Sequence, residues 1–321
     1  MTFKGRRDPA TFRPSSPDPI PATGRAAVSP IGPAERTVDD VGTRYWVWGD
    51  ADARTTVVAV HGFRGDHHGL LPITSRLDGC RVVTPDLPGF GSSPPFEDRA
   101  HDVASYAAWL HDFCRQVAGD ADRLVIIGHS FGSVISAAAV AEGLSPDELV
   151  LINPIAAPAL QGPRAVLSKI AVGYYRAGAL LPERIGGPLL TSRAIVRALS
   201  EVMATTDDPA LRIWIHDQHR RYFSSFADRR VVLEAFRASV SHHIGEYADR
   251  IGVPTLLIAG DHDDIVPLPA AQRLAERIGD SRLLVLADVG HLIHYERPEP
   301  AAAAITEFLF RRRGPSPGGS A

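Results

Sequence analysis

The pentapeptide Gly128-His129-Ser130-Phe131-Gly132 joins a short apolar run, 124–127, to an alanine-rich helical stretch, 130–141. A serine between two glycines at such a junction constrains the fold more than any other feature of the chain. On a sharp strand-to-helix turn the serine takes strained backbone angles, and glycine on either side lets helix and neighbouring strand approach. The turn projects Oγ beyond the strand end. The first turn of the helix supplies a field that favours developing negative charge. The segment therefore predicts a strand–turn–helix unit carrying a nucleophilic serine.

The rest of the chain supplies matching elements. Apolar, β-branched runs occur at 45–48, 56–60, 82–84, 124–127, 149–152, 255–258 and 283–286. Several are continuous rather than alternating, as expected of strands covered on both faces of a parallel sheet. Between them, 101–117 places Val103, Tyr106, Ala107, Leu110, Phe113 and Cys114 on one stripe, and 130–141, 269–278 and 298–310 behave alike. This alternation predicts a doubly wound, mostly parallel α/β sheet. One connection breaks the rhythm. Close to a hundred residues separate Pro154 from the next strand, where strand–helix loops usually take roughly 2–6. Helical patterns at 163–181, 189–203, 209–222 and 228–247 predict an inserted helical cap over 157–250 within a core of 36–156 and 251–312. Residues 1–35 hold seven prolines and little apolar periodicity, so a loose tail is expected there and again over 313–321.

Composition sets the outer limits. In 321 residues, 45% are hydrophobic, 22% are charged and the net charge is -3. Global attraction to nucleic acid or to an anionic membrane is excluded on that balance. No apolar run is long enough to span a bilayer. Arg6-Arg7 is followed by no apolar core of a signal peptide. Cys80 and Cys114 are the only cysteines, which suits a reducing, cytoplasmic setting.

A free serine is a poor nucleophile and needs a base. His291 follows the last predicted strand, where a loop returns to the top of the sheet. A histidine base needs a carboxylate to hold its tautomer, and the loop after 255–258 offers Asp261, Asp263 and Asp264. The chain order is serine, then acid, then histidine.

Taken together, these segments resemble the α/β-hydrolase family of capped, esterase-like enzymes. His61-Gly62-Phe63 is similar to the family's oxyanion loop, and Asp86-Leu87-Pro88-Gly89-Phe90-Gly91-Ser92-Ser93 to its D-x-P-G-x-G-x-S turn. Gly260-x-x-Asp263-x-x-x-Pro267 resembles the acid loop, and Gly290-His291 with Glu296-x-Pro298 the histidine loop. The resemblance implies a triad of Ser130, Asp263 and His291, an oxyanion hole from the backbone N–H groups of Phe63 and Phe131, and no cofactor. Relatives that carry the acid one strand earlier differ from this chain, which has Asn153-Pro154 there. Phe63 and Phe131 beside the acyl site imply a small-molecule substrate with an apolar acyl group. Carboxylic esters lead; lactones, thioesters and carbon–carbon bonds of ring-cleavage products follow. Epoxide hydrolases and haloalkane dehalogenases of this fold place an aspartate where Ser130 stands. A ligand-binding relative and a cofactorless oxygenase are the readings of another class.

Other residues carry weaker signals. Arg64, Trp214 and Tyr222 are candidates for substrate contact, with packing the alternative for the last two. His129 reads as a packing residue, His61 as a brace for its loop and Asp86 as a turn-former. His67 and His68 read as a solvated loop. His242-His243 lacks companion ligands, and no metal is expected.

Overall fold

A computed structural model describes residues 33–119, 121–158 and 165–311. One sheet holds eight strands: β1 (Pro33–Val38), β2 (Val41–Gly49), β3 (Thr55–Val60), β4 (Arg81–Pro85), β5 (Arg123–His129), β6 (Glu148–Ile152), β7 (Thr255–Gly260) and β8 (Ser281–Leu286). Their spatial order is β1-β2-β4-β3-β5-β6-β7-β8. β2 runs antiparallel to both neighbours, and every adjacent pair from β4 to β8 is parallel. The helices in chain order are α1 (Leu71–Thr74), α2 (Val103–Val117), α3 (Phe131–Ala141), α4 (Ala165–Leu180), α5 (Glu183–Leu190), α6 (Arg193–Met203), α7 (Pro209–Tyr222), α8 (Arg229–Ser241), α9 (Leu268–Arg277), α10 (Ile293–Glu296) and α11 (Pro298–Arg311).

Successive strand residues point to opposite faces, and each face meets its own helical layer. Val58, Val60, Ile126 and Leu149 pack with residues of α2 and α3. Val57, Ala59, Val125 and Ile127 pack with Ile73 of α1 and Ile305 of α11. Burial on both sides is why the strands read as continuous apolar runs. Among the described residues, no helix is long and apolar enough to cross a membrane.

Pro33, Ala34 and Glu35, which composition assigns to the loose tail, instead open β1. The rest of that expected tail, and 313–321, lie outside the described residues. β1 is an edge strand whose first five residues are exposed or half-buried, so it has no buried face to write into the sequence. Asp39 and Asp40 join it to β2 with φ of 51° and 63°, the left-handed pair of a two-residue hairpin.

Between β6 and β7 lie five described helices, α4 to α8, where the periodicity predicts four. Pro182 caps α5 as a separate short helix. The 228–247 stretch stops at Ser241, because His242 is extended (φ -117°, ψ 153°) and His243 starts a new turn closed by Glu246. α7 begins as expected, with the Asp208 carboxylate accepting from Ala210 N–H at 2.8 Å ahead of Pro209.

Arg64 fastens this helical segment to the sheet. Its side chain is fully buried, and it donates to Phe223 O (2.8 Å), Leu190 O (2.9 Å), Ser224 Oγ (3.1 Å) and Tyr175 Oη (3.2 Å). Its guanidinium also lies 4.9 Å from the Phe223 ring centre. Removing it strands buried carbonyls at roughly 1–3 kcal/mol each. Arg64→Ala is therefore expected to lower stability by about 3 kcal/mol, or about 6 °C of melting temperature in a chain of this size. A calorimetric shift below about 2 °C would contradict that role.

Candidate active site

Three strand ends converge. Ser130 follows β5, Asp263 lies in the loop after β7, and His291 lies in the loop after β8. In parallel α/β sheets the carboxyl ends of strands are where loops build sites. Ser130 sits at φ 52°, ψ -118°, a backbone region that non-glycine residues rarely occupy. Both flanking glycines are sterically required. A Cβ on Gly128 would lie 2.6 Å from Gly132 O, and one on Gly132 would lie 2.4 Å from Val60 O.

The side chains form one hydrogen-bonded line. Ser130 Oγ lies 2.8 Å from His291 Nε2, and His291 Nδ1 lies 2.9 Å from Asp263 Oδ2. Because the carboxylate can only accept, Nδ1 carries the proton and Nε2 presents its lone pair to the serine hydroxyl. Asp263 is held by four donors: His291, Asn153 Nδ2 (2.9 Å), Ile265 N–H (2.9 Å) and Val266 N–H (3.0 Å). Burial pushes its pKa up, but the electrostatic pull of His291 and these hydrogen bonds outweigh burial and hold it below the ordinary carboxyl value. Asp261 and Asp264 also border the cavity, but neither bonds His291.

Asn153 takes part in a way the sequence reading did not reach. It sits at φ 44° after β6 and also donates to Gly290 O at 3.1 Å. It thereby ties the acid to the residue before His291. The signal was an asparagine at the end of a strand where relatives carry the acid. The histidine loop has a second tie. Gly290 N–H donates to Thr205 Oγ1 (3.0 Å), and Glu296 accepts from the backbone of Thr205 (2.7 Å) and Thr206 (3.2 Å).

The 61–63 loop lies directly against the serine, since a Cβ on Gly62 would be 3.2 Å from Ser130 Cβ. His61 braces it: Nδ1 donates to Gly62 O (2.8 Å), and Nε2 accepts from Leu87 N–H (3.0 Å). Burial lowers the His61 pKa, which keeps this two-way arrangement neutral. The N–H groups of Phe63 and Phe131 have no acceptor among the described residues. His129 packs on His294 with ring centres 4.2 Å apart, and burial drives its pKa down to about 3. It stays uncharged beside His291.

These groups border a cavity of about 1000 Å³ whose walls include Phe63, Leu70, Phe131, Ile155, Phe223 and Phe236. Three candidates for substrate contact are not on those walls. Arg64 is spent on the tether described above. Trp214 packs edge-on against Tyr295 at 5.2 Å, and Tyr222 stacks on His68 at 3.9 Å. Helical spacing puts Trp214 and Tyr222 on one face of α7, and in the structure sheet-domain rings occupy that side. His67 and His68 are likewise not a solvated loop. His67 is buried between Trp46 and His68 and bonds Asp86 Oδ1 at 2.9 Å. Asp66, His67 and His68 form the one group of metal-type ligands close enough to share an ion among the described residues. His67 Nδ1 is committed to Asp86 and His68 Nδ1 to Asp66 (3.1 Å), so internal bonding already accounts for both Nδ1 atoms.

A strained serine at a strand–helix turn, approached by a histidine and an acid from later strands of a mostly parallel sheet, defines an α/β-hydrolase architecture. The sequence profile of the alpha/beta hydrolase family matches residues 57–304, and the chain belongs to that family. It is 25% identical over 288 residues to the uncharacterized hydrolase YugF of Bacillus subtilis, covering 88% of this chain and 99% of that one. It is 23% identical to Lipase 3 of Moraxella sp. over 74% of this chain and 71% of the lipase. The solved esterase of Exiguobacterium antarcticum superposes with a TM-score of 0.68 at 19% identity, over 86% of this chain and 98% of that one.

Proposed function

We propose that the protein is a serine hydrolase that works by acyl transfer on a carboxylic ester with a small to medium apolar acyl group. The observation that carries this reading is the line Ser130–His291–Asp263, with contacts of 2.8 and 2.9 Å, at the wall of a largely apolar cavity. Ser130 Oγ attacks the ester carbonyl while His291 Nε2 takes its proton. Asp263 holds the imidazole in the required tautomer and stabilises the imidazolium. The negative charge on the former carbonyl oxygen is met by the N–H groups of Phe63 and Phe131, a type of contact for which loss of one donor costs about 10²–10³ in rate. The proton then passes from His291 to the departing alcohol. Water, deprotonated by the same histidine, cleaves the acyl-enzyme and restores Ser130.

Several features favour an ester over other bonds of this fold. Ser130 stands where epoxide- and halide-cleaving relatives carry an aspartate, and the likeness to a lipase points the same way. The helical segment over the cavity serves as the cap that selects the acyl chain. Cys80 and Cys114, the chain's two cysteines, are both buried, which suits a cytoplasmic protein.

A p-nitrophenyl ester series tests this reading. We expect kcat/KM to peak between butyrate and octanoate and to fall at least about tenfold for palmitate, whose chain exceeds the small to medium acyl group proposed. Turnover no faster than that of Ser130→Ala across the series would defeat the proposal.

A further inference from the structure

Behind one wall of the cavity, α6 and α7 share a buried polar chain that the acyl-transfer steps do not use. His216 and His219, three apart on α7, lie on one helical face. Ser200 Oγ of α6 sits between them, 2.6 Å from His216 Nδ1 and 2.7 Å from His219 Nδ1. On the far side His216 Nε2 lies 3.3 Å from Glu201 Oε1, an ion-pair-range approach rather than an aligned hydrogen bond. Ser200 is fully buried, so it is no second nucleophile. Its position between two imidazoles acts instead on their tautomers.

The direction of the chain is fixed from its outer end. Glu201 accepts from Arg197 (3.0 Å) and Arg212 (3.0 Å), and these cations hold its carboxyl below the ordinary value, with Arg197 the main cause. A carboxylate facing His216 Nε2 favours a proton on that nitrogen. His216 Nδ1 is then a lone pair and takes the Ser200 Oγ–H. Ser200 Oγ in turn accepts from His219 Nδ1–H. His219 is left with a bare Nε2. That nitrogen has no hydrogen-bond partner among the described residues, although His219 is 5% exposed and lines the cavity. Burial first, and His216 second, push the His219 pKa down to about 4, so the ring is neutral near pH 7.

We propose that His219 is a specificity-determining acceptor, whose Nε2 takes a hydrogen bond from a hydroxyl on the non-reacting part of the substrate. The preferred ester is then a hydroxyl-bearing one rather than a plain alkyl ester. This inference rests on the acyl-transfer reading and deepens it. A buried acceptor built to meet a hydroxyl penalises the analogue that lacks one, because the acceptor is left desolvated and unpaired.

Two matched pairs locate the hydroxyl: glycerol monobutyrate against propyl butyrate for the alcohol side, and methyl 6-hydroxyhexanoate against methyl hexanoate for the acyl side. Wild-type protein is expected to favour the hydroxylated member of one pair by about tenfold or more in kcat/KM. His219→Phe should bring that ratio near one, and His219→Gln, which keeps an acceptor close to the Nε2 position, should restore part of it. A wild-type ratio near one in both pairs, or a preference that survives His219→Phe, overturns the proposal. Long-range ¹H–¹⁵N correlation spectra of the wild type decide the matter even if those variants fail to fold. The expected tautomer of His219 has Nδ1 protonated and is lost in Ser200→Ala; a proton found on Nε2 overturns it. If instead no ester of either pair is turned over faster than by Ser130→Ala, the acyl-transfer reading is what fails.

Discussion

Ser130→Ala is expected to lower kcat on p-nitrophenyl butyrate by on the order of 10⁶, the scale on which a serine nucleophile acts together with its base. The substitution removes only Oγ. The strained turn, the N–H groups of Phe63 and Phe131 and the apolar walls remain, so weak hydrolysis above water should persist. KM should change little, because Oγ contributes to bond formation rather than to holding the acyl chain. Steady-state rates with matched thermal unfolding curves check this. A loss smaller than tenfold in a folded variant would mean that Ser130 is not the nucleophile. If His291→Ala and Asp263→Ala still lost activity in that case, the histidine would act without a serine nucleophile, the pattern a cofactorless oxygenase shares.

Asp263→Asn is the second large effect, a fall in kcat of roughly 10⁴ with the site otherwise in place. Asp263 accepts from four donors, two of them backbone N–H groups on Oδ1 and two of them side chains on Oδ2. An asparagine can keep its oxygen toward the backbone pair only by turning its NH₂ toward His291 and Asn153. His291 must then accept at Nδ1, which leaves its proton on Nε2 and the serine hydroxyl without a base. The substitution has a pH signature as well. The folded-state pKa of Asp263 lies below its unfolded value of about 3.9, so its ionisation stabilises the fold above that value. The contribution is lost as pH falls through the folded pKa. The stability gap between wild type and variant should therefore be widest near neutrality and should close in acid. A gap that does not narrow below about pH 4 would contradict this account of the carboxylate.

What the sequence made legible was what the sheet writes locally. Buried strands appear as unbroken runs of Val, Ile and Leu, and the serine turn appears because two glycines are sterically obligatory there. His291 was legible through its position after β8, whereas position after β7 left Asp261, Asp263 and Asp264 open and only the resemblance to the family's acid loop singled out Asp263. β1 was not, because an exposed edge strand needs no apolar pattern. α5 was not, because six of its eight residues fall between the ends of two longer helical patterns. Arg64 was misplaced for a different reason. A buried arginine is indistinguishable in sequence from one lining a cavity mouth, since its partners are carbonyls and hydroxyls more than a hundred residues away. The pairing of Asn153 with Asp263 spans a similar separation. His67 and His68 show the same limit, because their neighbours Trp46 and Tyr222 come from a strand and a helix far apart in the chain.

In the proposed mechanism His291 and Asp263 activate Ser130 toward carbonyl-like electrophiles. Treating intact protein with a fluorophosphonate and mapping the adduct by mass spectrometry tests it most directly. One adduct per chain is expected, on Ser130, with little or none in His291→Ala. An unmodified wild-type chain, or labelling of Ser130 that proceeds equally fast without His291, would contradict it.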